Sequence, residues 1–131
     1  MAAHRRACAR RFAQDRKSLA DKSIVIVAPD QGLRRSLAFA LEVEGYPTQS
    51  YDALWKAEGS ATASLCTIID DEILKSEAQA VQSLQRRGRR IILLVDGMSV
   101  LQEHAGTIVL TKPINGSDLL DVVNSLAAVV G

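Results

Sequence analysis

The 131-residue chain is poor in aromatics, with two Phe, two Tyr and one Trp. Cysteine is nearly missing: Cys8 and Cys66 have no metal-ligand neighbours and are too few for a disulfide framework, which suits a reducing compartment. Only two histidines occur, so a His-rich metal centre is excluded, and no metal site is expected. No run approaches the ~20 apolar residues of a membrane span. No nucleophile–His–acid arrangement and no Gly-rich phosphate loop is present, so an enzyme is not expected. Three prolines, Pro29, Pro47 and Pro113, leave long stretches uninterrupted. A chain of this length can bury roughly two-thirds of its unfolded surface in one core.

Charge is balanced overall at +1 but unevenly spread. Residues 1–22 carry seven Lys/Arg against Asp15 and Asp21, a net of +5, and residues 23–131 carry nine bases and thirteen acids, a net of −4. The expected division is a basic N-terminal extension over 1–22 and one domain over 23–131. Cys8, Phe12 and Leu19 can share a helical face, and a solvated tail reads equally well. No apolar core follows the arginines, so a signal peptide is not expected.

From Ser23 onward, apolar strands alternate with amphipathic helices. Ser23–Val27 is the first strand, and Asp30 is placed to cap a helix reaching about Glu44. Leu33, Leu37, Ala40 and Leu41 form its apolar face, and Gly45 ends it. Tyr46–Tyr51, holding Pro47, suits an edge strand. A short helix over Asp52–Glu58 would dock through Leu54 or Trp55. Leu65–Ile69 is a third strand, and a helix over about Leu74–Arg87 places Ala78, Val81 and Leu84 inward. Arg90–Val95 and Thr107–Leu110 are further strands, with a very short helix at Ser99–His104 between them. Asn115 can cap the last helix, with Asp118 reaching back.

Nearly unbroken apolar runs mean strands covered on both faces. Right-handed crossovers then give an α/β fold with a five-stranded parallel sheet, doubly wound with helices on both sides. The site of such a sheet lies beyond the carboxyl ends of its central strands. The residues there are Ala28, Pro29 and Asp30, then Asp70 and Asp71, Val95 and Asp96, and Thr111 and Lys112.

Three segments, "SIVIVAPDQGLRRSLAFALEVEGY", "CTIIDD" and "TIVLTKPINGSDLLDVV", resemble the receiver domain of bacterial two-component response regulators. The likeness covers about Ser23 to Leu126. It implies the flavodoxin-like, doubly wound (βα)5 receiver fold, Asp70 as phosphoacceptor, Lys112 as its phosphate or salt-bridge partner, and a cis bond before Pro113. The family also uses an acidic pair at the end of the first strand to hold Mg²⁺, a Thr or Ser ending the fourth, and a switch aromatic on the fifth. Here those positions are Ala28 and Pro29, Val95, and Val109. Neither Ala nor Pro is a hard anionic ligand, and Val offers no hydroxyl. The span from Val95 to Lys112 is short, so the fourth helix is expected to be shortened.

The resemblance with these departures points to a degenerate pseudo-receiver, a cytoplasmic interaction module for a histidine kinase, a phosphotransferase or another regulator. No cofactor is expected. A phosphorylatable regulator using Mg²⁺ and Asp70 is the first alternative. The second is a small-ligand sensor, with Arg86, Arg87, Arg89 and Arg90 as an anion site. Leu120, Val122, Ala127 and Val129 on the last helix exceed one core-facing stripe and suggest an interface, with a homodimer as one use. Asp71 is expected to point away from Asp70, by strand alternation, and Arg34 and Arg35 to lie on the surface. Direct DNA binding and membrane association are not expected.

Overall fold

The computed structural model describes residues 22–96 and 106–130. The expected N-terminal helical face and the short helix at Ser99–His104 lie outside them. Chain order is β1 (Ile24–Val27), α1 (Gln31–Val43), β2 (Thr48–Tyr51), a 3-10 turn (Leu54–Ala57) running into α2 (Glu58–Ala63), β3 (Cys66–Asp70), a 3-10 turn (Asp71–Ile73) running into α3 (Leu74–Arg86), β4 (Ile91–Val95), β5 (Thr107–Thr111) and α4 (Gly116–Val130). All strand pairs are parallel, in the order β2-β1-β3-β4-β5. The doubly wound sheet read from the apolar runs is therefore present, with β2 at an edge. Among the described residues no helix separates β4 from β5.

Every residue of β1, β3 and β4 is buried, because side chains alternate between two apolar layers. Ile24, Ile26, Cys66, Ile68, Ile92 and Leu94 meet Leu37 and Leu41 of α1 and Leu119 and Val123 of α4. Val25, Val27, Ile69, Ile91, Leu93 and Val95 meet Leu54, Ala57 and Ala61, and Val81 and Leu84 of α3. Burying a Leu or Ile side chain contributes about 1.5–3 kcal/mol, so these layers hold the strand ends in place.

The helix boundaries follow from local chemistry. Asp30 caps α1, its carboxylate accepting the Leu33 N–H at 2.7 Å. Gly45, at φ +93°, takes the left-handed conformation that ends it. Asn115 Oδ1 accepts the Ser117 N–H at 2.8 Å at the start of α4. The inner face of α1 is Leu33, Leu37, Ala38 and Leu41 rather than one including Ala40.

The region 52–63 departs from the sequence reading. A 3-10 turn comes first, and the helix after it runs on to Ala63. Leu54 is the docked residue, while Trp55 is 67% exposed. The reason is Glu77, whose carboxylate accepts the Leu54 and Trp55 N–H groups at 2.7 and 2.9 Å. Glu77 itself leaves helical geometry (φ −132°, ψ 34°), which kinks α3 and leaves Ala78 exposed instead of inward.

Candidate functional site

The carboxyl ends of β1, β3, β4 and β5 lie side by side at one end of the parallel sheet. Asp70 closes β3 and is buried. Lys112 follows β5, and its Nζ lies 2.5 Å from Asp70 Oδ1. The Lys112–Pro113 bond is cis, as the receiver resemblance implies. The Lys112 backbone N–H donates to the Val95 carbonyl at 2.7 Å, which ties the β5 end to the β4 end.

Asp71 does not turn away. Its Oδ1 is 3.1 Å from Lys112 Nζ, and its Oδ2 accepts the Asp96 N–H at 3.1 Å. Strand alternation fails here because Asp71 opens a 3-10 turn instead of extending β3. Two adjacent carboxylates thus share one ammonium. Burial pushes the Asp70 carboxyl above its ordinary value, with Lys112 only partly offsetting it. Burial also works against ionised Asp71, but hydrogen bonds from the Asp70 carboxyl when it holds its proton, from the Asp96 N–H and from Lys112 win, bringing it to about 2. Lys112 is held above its ordinary value, because the two carboxylates outweigh its desolvation.

The β1 end carries a cation. Arg34, one turn into α1, is half-buried and folds back onto the strand end. Its Nη1 donates to the Ala28 carbonyl at 2.5 Å and to the Pro29 carbonyl at 2.9 Å. The surface placement expected for Arg34 is therefore corrected: the turn between strand and helix brings its guanidinium to two backbone acceptors. Arg35 is exposed. Asp30 is engaged as the α1 cap. Among the described residues, no three His, Cys, Asp or Glu side chains converge as metal donors. The two carboxylates are engaged by the Lys112 ammonium, and the β1-end carbonyls by the Arg34 guanidinium.

Val95 is buried and turns into the α2–α3 layer. Val109 is half-buried against the same layer. Arg86, Arg87 and Arg89 are exposed at the end of α3, with Arg90 half-buried where β4 begins. Leu120, Val122 and Ala127 are half-buried and pack against the α1–α4 layer. The Val129 side chain lies outside what the structure describes. Among the described residues, the large apolar side chains left exposed are instead Phe39 and Val43 on α1, and Trp55. Sequence reasoning missed Arg34, Asp71 and Glu77 as contact-making residues. A basic residue one turn after a neutral strand end was the available signal for Arg34. Glu77 offered none, since its partners are over twenty positions away.

No protein-family model matches the chain. Solved receiver structures share its fold at low identity. One is a response regulator receiver domain protein from Clostridium thermocellum, with TM-score 0.70 and 17% identity over 82% of this chain and 94% of that one. Another is a receiver protein from Sinorhizobium medicae WSM419, with TM-score 0.70 and 16% identity over 84% of this chain and 97% of that one. The transcriptional regulator protein FixT of Rhizobium meliloti (strain 1021) is far more similar in sequence, 59% identical over 106 residues, 80% of this chain and 92% of the relative. With the receiver topology and this identity together, the chain belongs to the FixT family.

Proposed function

We propose that this protein is an atypical receiver that works by binding other signalling proteins, not by Mg²⁺-dependent phosphoryl transfer. One observation carries the reading: the β1 end offers only Ala28 and Pro29, and their carbonyls accept from Arg34. Phosphoryl transfer relies on positioning and on cations that neutralise the equatorial oxygens. Asp70 and Lys112 remain, but Lys112 is shared with Asp71, and the position that would supply a hydroxyl is Val95. Read this way, the ion-pair cluster is a structural tie between β3 and β5. The partner is a histidine kinase, a phosphotransferase or another regulator inside the cytoplasm.

The relative's name makes that protein a transcriptional regulator. For this chain we place any such role one step away, through a signalling partner, with no direct contact to DNA. The exposed Phe39 and Val43 of α1 support a binding role, as bulky apolar groups on a helix whose core needs are met by Leu37 and Leu41. A homodimer through α4 belongs to the same reading.

The test is intact-mass measurement after incubation with Mg²⁺ and a small phosphodonor, beside Asp70→Ala. The expected result is no phosphoryl adduct on either protein. A stable gain of one phosphoryl group, absent from the variant, would falsify the reading and establish Asp70 as a phosphoacceptor.

A further inference from the structure

A hollow of about 140 Å³ lies between the Leu54–Ala57 turn and α3, on the sheet face opposite α1 and α4. Leu54, Trp55, Ala61, Ala80 and Leu84 give it an apolar lining, and Arg87 adds a cation. Trp55 is 67% exposed, an unusual position for the largest apolar side chain in the molecule. Lys56 Nζ stands 5.4 Å from the centre of its ring. The acid in the lining, Glu77, is already committed to two backbone N–H groups. Arg86 and Arg89 are exposed beside Arg87 in the chain, and among the described residues none of the three has an ion-pair partner. An apolar slot walled by an indole, with the Arg87 guanidinium in its lining and two more exposed arginines beside it in the chain, selects one chemistry.

We propose that this groove docks an acidic amphipathic segment of a partner protein, with an apolar side chain seated against Trp55 and carboxylates on Arg86, Arg87 and Arg89. Guanidinium groups hold carboxylates by paired donors, and indole supplies contact area at low entropic cost. A nucleotide fits less well, because the lining is mostly apolar and its carboxylate is used internally. The inference rests on the binding reading above and assigns it a surface.

Trp55 is the chain's single tryptophan, so it reports directly on the groove. The probe is a fluorescein-labelled 18-residue helical peptide, with Leu along one face, Glu elsewhere and no aromatic residue. Saturable anisotropy with a blue shift of Trp55 emission is expected on the full-length protein. Arg86→Glu with Arg87→Glu should weaken binding by about tenfold or more, since each rim charge is worth up to a factor of several. Trp55→Ala, at a position that is 67% exposed, should weaken it as well, and far-UV circular dichroism checks each variant for folding. No saturation overturns the proposal. So does equal binding by the charge-reversed protein, or equal binding by a peptide with Ser in place of Leu, which would mark a purely electrostatic contact. A phosphoryl adduct in the mass measurement removes the wider binding reading, whereas a silent Trp55 without an adduct removes only this site.

Discussion

Lys112 serves two carboxylates, and that sharing decides how the site responds to mutation and pH. In Lys112→Ala, Asp70 and Asp71 face each other in a partly buried place without their cation. Breaking a buried pair leaves the remaining charge uncompensated, so a loss of about 2–3 kcal/mol is expected at pH 7, measured by urea denaturation. Protonating one carboxyl relieves the repulsion, so the loss should shrink at pH 4.5, and Asp70→Asn in the same background should recover part of it. Equal losses at both pH values would mean that charge is not the cause. In the unmutated protein the signs differ by residue. Lys112 is raised, so its contribution is full below about pH 10.4 and is lost as pH rises through its folded value. Asp71 is depressed to about 2, so its contribution is present above about pH 4 and is lost as pH falls from there. Asp70 is raised and acts oppositely on the acid side, blunting that loss. Asp71→Asn should therefore reduce the acid-side fall in denaturation midpoint, and a fall of unchanged size would assign it to other groups. Thr67 offers a simpler case. It is buried, and its hydroxyl has no partner among the described residues. Thr67→Val should stabilise by about 1 kcal/mol in the same assay, by removing an unsatisfied polar atom from the core.

At the scale of elements, the molecule separates what the sequence makes legible from what it hides. β1, β3 and β4 are readable because both of their faces are apolar, and the caps at Asp30 and Asn115 are readable because they act within three residues. The kink in α3 is hidden because its cause is tertiary. Glu77 reaches across to satisfy two N–H groups at the head of the 54–57 turn, so the turn forms where it does and Ala78 loses its inward place. Asp71 is hidden for a related reason, since the change from strand to 3-10 geometry swings its carboxylate onto Lys112. On α4, Leu120, Val122 and Ala127 read as surplus in the sequence, yet each is partly buried against the α1–α4 layer. Hydrogen bonds to a charged group are worth about 1.5–3 kcal/mol. Glu77→Ala should therefore cost about 2 kcal/mol, with amide exchange at Leu54 and Trp55 rising well above its neighbours. Uniform acceleration along the chain would show that the clamp is not local. On α1 the two faces should behave oppositely. Leu41→Ala should cost about 2–5 kcal/mol, whereas Phe39→Ser with Val43→Ser should stay within about 0.5 kcal/mol per site, leaving those side chains for contact with a partner.

For the whole molecule, the sheet is the common wall of two apolar layers, each built on its own alternate set of strand residues. Cys66 faces the α1–α4 layer and Ile69 faces the α2–α3 layer, three positions along the same strand. Burial pushes the Cys66 thiol up to about 12, with Arg90 offsetting little of the shift. The thiolate is the reactive form, so folded Cys66 is inert twice over, through pKa and through access. In a Cys8→Ser background, modification of Cys66 at pH 8 should therefore report opening of the whole sheet, and its rate should track the global unfolding equilibrium. Ile69→Ala removes packing only on the far face. If the layers are coupled, its expected cost of about 3 kcal/mol should appear in full at Cys66, as a rate increase of about a hundredfold. A rate that stays near the parent value while urea denaturation records the loss would mean that the two layers open independently. In that case the α2–α3 side could rearrange around a docked segment without disturbing β1, α1 and α4. Coupled layers would instead transmit such a change through β3 to the Asp70–Lys112 tie at its carboxyl end.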